Sequence, residues 1–461
     1  MVVETVISGG TIATHEGTFE GSIAMDDGRI VAVGEAAALP EAETVVDATD
    51  RIVMPGVVDP HVHIDETDVQ VGTYESETRA AALGGVTTVI DFAWQDGLYV
   101  DDLDADATLG DCIDVKRERG ERGIVDFSFH GTLSREDDAS FAEMETALAK
   151  GVTSFKLFLA EYEGTGIGRG FVDRVFRRLA ENGAVGVVHS EDPSTCERLT
   201  AEARAQGRDD PEVFPATRPD YTEALAVESV ARLAAETGAK YYNVHTTCRD
   251  AADALARFQE DGSTIRGETC PHFLVFDESV FAEQGNLPLI TPPLRTLDDV
   301  ESLFEALGDG VLNTIATDHC VYTRESKTSV PWWDSPRGAN GVQHSLELVH
   351  REAVVERGFS YPFLVRAMST TPARTFGMPQ KGTLEPGTDA DVVIFDPDAP
   401  HRISASDGAS HADFSIYDGL PVSGRVEKTF VRGELVADDG EIVCDDGHGQ
   451  FLEREIPDWS G

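Results

Sequence analysis

Between residues 56 and 378 the chain alternates short apolar runs, rich in valine, isoleucine and phenylalanine, with longer stretches of helical periodicity. The runs at 57–64, 86–92, 125–131, 154–159, 184–190, 240–246, 264–269 and 313–317 read as strands. Eight such runs with helices between them predict an α/β protein built on a (β/α)8, TIM-like barrel, whose functional side chains collect at the C-terminal ends of the strands. A doubly wound open sheet would give the same periodicity, but no Gly-x-Gly-x-x-Gly turn supports it. The two ends of the chain have a different texture, with short β-type runs and tight turns. Asp27-Gly28 between apolar runs signals a hairpin. A similar texture returns at 381–396 and 428–436. Residues 1–55 and 379–461 are therefore expected to form one small β-sandwich around the barrel at 56–378.

Composition adds a constraint. At 461 residues and 41% hydrophobic, the chain can fill a barrel and a companion domain. Asp and Glu number 84 against 37 Lys and Arg, a formal charge of −47. Such a surface repels phosphate backbones and anionic membranes, so neither nucleic-acid nor membrane partners are expected. The acids are spread along the chain, which suggests a coat adapted to very high salt, a halophilic source; ordinary acidic solubility is the plainer alternative. No apolar run approaches the ~20 residues needed to cross a bilayer. The first residues lack a basic segment followed by a long apolar core, so an intracellular, cytoplasmic protein is expected. Six cysteines without CxxC spacing predict buried free thiols.

The candidate chemistry lies on the predicted strands. His61 and His63 stand two apart, so an extended strand turns both to one side, where they can share an ion. Lys156 sits between Phe155 and Leu157, His189 and His245 close the fifth and sixth runs, and Asp318 follows the eighth. Each alone is ordinary, but all six are expected at one barrel mouth, where their convergence predicts a metal site. Burial lowers the pKa of a lysine, and a neutral amine can add carbon dioxide to give an anionic carbamate able to bridge two divalent cations.

These residues resemble the cyclic amidohydrolases: dihydropyrimidinase, hydantoinase, allantoinase and dihydroorotase. The likeness is carried by Met54-Pro55-Gly56-Val57-Val58-Asp59-Pro60-His61-Val62-His63, Gly84-Gly85-Val86-Thr87-Thr88-Val89-Ile90-Asp91-Phe92 and Ser154-Phe155-Lys156-Leu157-Phe158. It continues in Glu268-Thr269-Cys270-Pro271-His272, Thr291-Pro292-Pro293-Leu294-Arg295 and Thr317-Asp318-His319-Cys320. The resemblance implies that His61, His63 and Asp318 hold one metal, that His189 and His245 hold a second, and that Lys156, as N6-carboxylysine, bridges them. Zinc suits such ligands best, with manganese or cobalt also fitting. It further implies that Asp318 moves the proton from the attacking water to the leaving nitrogen, and that backbone groups near Thr291 hold the imide edge of a small cyclic amide or ureide. The implied reaction opens a hydantoin or dihydropyrimidine ring to a carbamoyl amino acid in a homotetramer or homodimer. Allantoinase is the alternative, and a metal-free dihydropyrimidinase-like scaffold is the non-enzymatic one.

The match departs from the family in three places. Hydantoinases carry a tyrosine five residues after the bridging lysine, where this chain has Glu161, with Tyr162 next to it as the candidate replacement. They carry an asparagine where Arg337 falls, in a segment that also offers Asn340 to the substrate; Arg337 would suit a carboxylate or a ureido oxygen. Dihydroorotases bind the substrate carboxylate with an arginine two residues past the second histidine. Asp65 stands there and makes that substrate less expected. His130 is expected to be structural, with His272 and His319 as supporting residues rather than ligands.

Overall fold

The computed structural model describes residues 2–64, 67, 69–104, 106–159 and 165–459. Eight parallel strands follow one another around the inner sheet: Val57–Asp59, Val86–Trp94, Asp126–Thr132, Ser154–Phe158, Val185–His189, Lys240–Asn243, Ile265–Thr269 and Thr314–Ile315. Nearly all their residues are buried because a parallel sheet wrapped in helices is covered on both faces; all nine residues of Val86–Trp94 are buried. The last strand meets the first through the short parallel pair Val62–His63 and His319–Cys320. Asp59 strengthens that seam, accepting from Thr317 N at 3.2 Å and Thr317 Oγ1 at 2.6 Å.

Local sequence explains the helices around the sheet. Thr73, Thr108 and Thr296 each open a helix with a reciprocal capping box. Arg169–Asn182 buries Phe171, Val172, Val175, Phe176 and Leu179, a stripe at helical spacing. The loop before the barrel is held close by Gly56, where a Cβ would meet Thr87 Oγ1 at 2.1 Å.

Several strands are shorter than the apolar runs that announce them. The run at 57–64 breaks at Pro60, which has no N–H for a ladder. The run at 240–246 stops at Asn243 and that at 313–317 contracts to Thr314–Ile315, because the chain turns into left-handed backbone at His245 (φ +38) and Asp318 (φ +49).

The second sheet has nine strands drawn from both ends of the chain, with Ile52–Pro55 paired antiparallel to Val392–Arg402 at the junction. Its hairpin turns at Asp27-Gly28, both at positive φ, with Asp26 paired to Arg29. Ile7, Ile23, Ile30, Val53 and Ile394 are part of its apolar core. The final described residues leave this sheet and run along the barrel: Phe127 N donates to Gln450 O at 3.0 Å, and Arg454 N to Gly151 O at 2.9 Å. All six cysteines are free and five are buried. Among the described residues no helix is long and apolar enough to cross a membrane.

Candidate metal centre

His61, His63, Lys156, His189, His245 and Asp318 line one cleft. His61 and His63 lie at the break after the first strand, and each puts Nε2 beside Asp318 Oδ1, at 3.1 and 3.2 Å. The ligand atoms of these three residues all lie within 4.8 Å of one another. Asp59 fixes the turn by accepting from His61 N at 3.1 Å. Glu268 takes His61 Nδ1 at 2.7 Å, His245 N at 3.1 Å and the Tyr242 hydroxyl at 2.8 Å. That bond commits His61 Nδ1 and turns Nε2 towards Asp318, the arrangement in which an outer carboxylate orients a ligating imidazole.

The second group is built from the fifth and sixth strands. His189 ends its strand and donates Nε2 to Glu191 at 2.7 Å, which leaves Nδ1 as the nitrogen available to a cation. Glu191 also accepts from Arg218 at 2.7 Å. Burial alone would raise the Glu191 carboxyl, but Arg218 and His189 hold it down to about 2. The His245 ring centroid lies 4.6 Å from that of His189 and 5.5 Å from that of His61. Lys156 reaches the same space from the fourth strand, only 1% exposed, with Nζ 5.0 Å from the Phe92 centroid and 4.8 Å from that of Phe158. Burial among these rings pushes its amine down to about 8 against the pull of Asp318 and Glu268.

The cluster suits a cation. Burial alone would lower His61, yet Glu268 and Asp318 carry it up to about 9. Burial alone would raise Asp318, yet His61 and His63 hold it well below the usual carboxylate range. Among the described residues, two ring nitrogens of this cluster, His61 Nε2 and His245 Nδ1, have no hydrogen-bond partner, the first being close to Asp318 but out of line for a bond. A donor set of imidazoles and carboxylate with nitrogens left over fits divalent cations of the zinc type.

Thr291 and Arg337 also line the cleft, with Trp94, Tyr99 and Tyr322. Asn340 does not: it borders a neighbouring cavity with His319 and Gly341. The backbone beside it is held by Cys320 N, which donates to Ala339 O at 3.0 Å, and by Gly341 N, which donates to His319 Nδ1 at 3.0 Å. Tyr162, with Glu161 and Asp65, lies outside the described residues. His130 has both ring nitrogens committed, to Ser154 Oγ at 2.6 Å and Pro60 O at 2.8 Å, and is structural. His319 is likewise committed, its Nε2 donating to Glu77 at 2.9 Å. Glu268 and Glu191 are the residues that sequence reasoning passed over. Their signal was an acid inside a buried strand and an acid two places after a candidate ligand.

A model described as "Amidohydrolase family" matches residues 52–436. A D-hydantoinase of Streptomyces coelicolor is 34% identical over 98% of this chain and 98% of its own length. An allantoinase of Salmonella choleraesuis is 31% identical over 98% of this chain and 99% of its own. The crystal structure of a dihydropyrimidinase from Brevibacillus agri superposes with a TM-score of 0.93 at 30% identity, covering 98% of this chain and 99% of that one.

Proposed function

The chain belongs to the amidohydrolase family, and from that premise we propose that it opens a cyclic amide of the hydantoin or dihydropyrimidine type by hydrolysis, giving a carbamoyl amino acid. The observation that carries this reading is the convergence of His61, His63, Lys156, His189, His245 and Asp318 on one cleft. In it, His61, His63 and Asp318 would hold one divalent cation and His189 and His245 a second, zinc by preference, with manganese or cobalt also suited. Lys156, as a carbamate, would supply the anionic oxygens between them: its neutral amine would form a bond to the carbon of carbon dioxide and give up a proton, and its lowered pKa supports this by keeping part of the amine neutral near physiological pH. Cations held there supply an activated water at neutral pH and polarise the amide carbonyl.

The chain's own groups do the rest. Asp318, ionised and facing the cleft, takes a proton from the attacking water and passes it to the ring nitrogen as the carbon–nitrogen bond breaks. Glu268 and Glu191 keep His61 and His189 in ligating orientation. Thr291, Arg337 and, from outside the described residues, Tyr162 contact the ring. Opening of allantoin is the second reading, favoured by the full-length similarity to allantoinases. Cytoplasmic location, a homotetramer or homodimer and adaptation to high salt complete the proposal. The test is a side-by-side assay of hydantoin, dihydrouracil, allantoin and dihydroorotate in high salt, with metal analysis of the same preparation. Ring opening with close to two cations per chain is expected. Failure to open any of the four rings with both cations bound would refute the reading.

A further inference from the structure

Arg295 closes the motif Thr291-Pro292-Pro293-Leu294-Arg295 and is absent from the lining of the cleft, yet it is only 5% exposed and bonds three separate segments. Its Nε donates to Thr247 Oγ1 at 2.9 Å, its Nη2 to Glu223 Oε2 at 3.1 Å and its Nη1 to the carbonyl of Arg218. Two of these segments lead to the second pair of histidines. Thr247 stands two residues after His245. It is locked by Glu223, in the first turn of the helix Asp220–Thr237, which accepts from Thr247 N at 2.8 Å and from its hydroxyl. The Thr247 hydroxyl is thus engaged twice, accepting from Arg295 and donating to Glu223. Arg218 lies two residues before that helix, and its guanidinium donates to Glu191 at 2.7 Å, the carboxylate that takes His189 Nε2 at 2.7 Å. At its own end Arg295 is four residues from Thr291 on the cleft wall, with Glu278 N donating to Arg295 O at 2.7 Å.

We infer that Arg295 is a positioning residue that sets the wall at Thr291 against His189 and His245, so that one side chain fixes both the placement of the ring and the second cation site. This rests on the cyclic amidohydrolase reading and adds a residue to it. The position requires a planar guanidinium, whose nitrogens reach three acceptors in one plane and keep them at fixed mutual distances. A neutral residue would strand Glu223 as a buried carboxylate. A lysine would keep the charge facing Glu223, but its single nitrogen cannot span all three acceptors. Among the described residues no bond of Arg295 runs to His61, His63 or Asp318, nor to Glu268, which orients His61. The first cation is therefore outside its reach.

The test uses Arg295→Lys and Thr247→Val loaded with zinc, and whichever of hydantoin, dihydrouracil and allantoin the wild type opens fastest. Release of the two cations is followed in a chelator competition, where the step that Glu191→Gln shifts marks the second cation. Arg295→Lys should weaken that cation ~10-fold and the other less than ~2-fold. At saturating zinc its KM should stay raised ~10-fold while kcat returns to within ~3-fold of wild type, since the wall at Thr291 is displaced but both sites are filled. Thr247→Val cuts only the link to His245, so it should weaken the second cation ~10-fold with KM changed less than ~2-fold. It is read independently of whether the lysine variant folds. A residue that only stabilised the fold would weaken both cations alike and lower kcat through the active fraction, leaving KM unmoved. That pattern, an unchanged KM in Arg295→Lys, or a second cation untouched by Thr247→Val would overturn the inference and leave the hydrolase reading standing. A wild type that opens none of the rings with both cations bound would remove both.

Discussion

The cleft and the seam between barrel and terminal sheet bury the same ingredients to different ends. At the seam, Lys381 Nζ lies 2.5 Å from Asp126, 2.9 Å from Asp389 and 2.8 Å from Asp391, all buried. Arg432 adds an ion pair to Asp126 and donates its backbone N to Asp391 at 2.8 Å. In the cleft, carboxylates face imidazoles at similar distances, but His61 Nε2 and His245 Nδ1 are left without hydrogen bonds. Left-handed backbone occurs in both, at His245 and Asp318 in the cleft and at Arg432 in the seam, a conformation that costs non-glycine residues roughly 1 kcal/mol or more. At the seam Asp389 Oδ1 also lacks a hydrogen bond, but it is ion-paired to Arg29 at 2.6 Å, so each carboxylate there faces a cation and the cluster holds the fold together. A cluster that leaves buried imidazole nitrogens over is arranged for something else to bind.

That contrast can be broken by exchanging the damage. Asp318→Asn should lower kcat by about 10²- to 10⁴-fold, as expected for a lost proton carrier, while the denaturant midpoint of the metal-free protein hardly moves. An equal loss of stability would erase the distinction. Lys381→Met should do the reverse, costing about 3–5 kcal/mol in urea unfolding because it strands buried carboxylates, with turnover per folded molecule kept. Glu191→Gln is milder: it should weaken metal binding about 10- to 100-fold in a chelator competition, through the freed His189 ring, with little change in unfolding. The smallest effect sharpens the contrast from outside. Raising salt should increase the thermal midpoint by screening the exposed acids, and by a similar amount in Lys381→Met, since buried pairs are screened much less.

Much of this was legible in the sequence, and the exceptions have physical causes. The eight apolar runs and the six convergent side chains were visible because strand periodicity and ligand chemistry are local. The strand ends were misjudged at Asn243 and Ile315, since Val244 and Ala316 carry the apolar runs beyond the last ladder residue, before the backbone turns left-handed at His245 and Asp318. The roles of Asp59 and Glu268 were hidden because their partners, Thr317 and His61, lie 258 and 207 residues away. The Lys381 cluster gave no sequence signal at all, its acids being a few among 84.

The account depends most on Lys156 lying between two cations as an anion rather than an ammonium. The direct measurement is metal content and ring-opening rate of Lys156→Ala, with and without a short carboxylic acid such as propionate. Loss of most metal and activity, with partial return of both when the acid supplies the missing carboxylate, is the predicted result. A variant that keeps two cations and full turnover without the acid would contradict it.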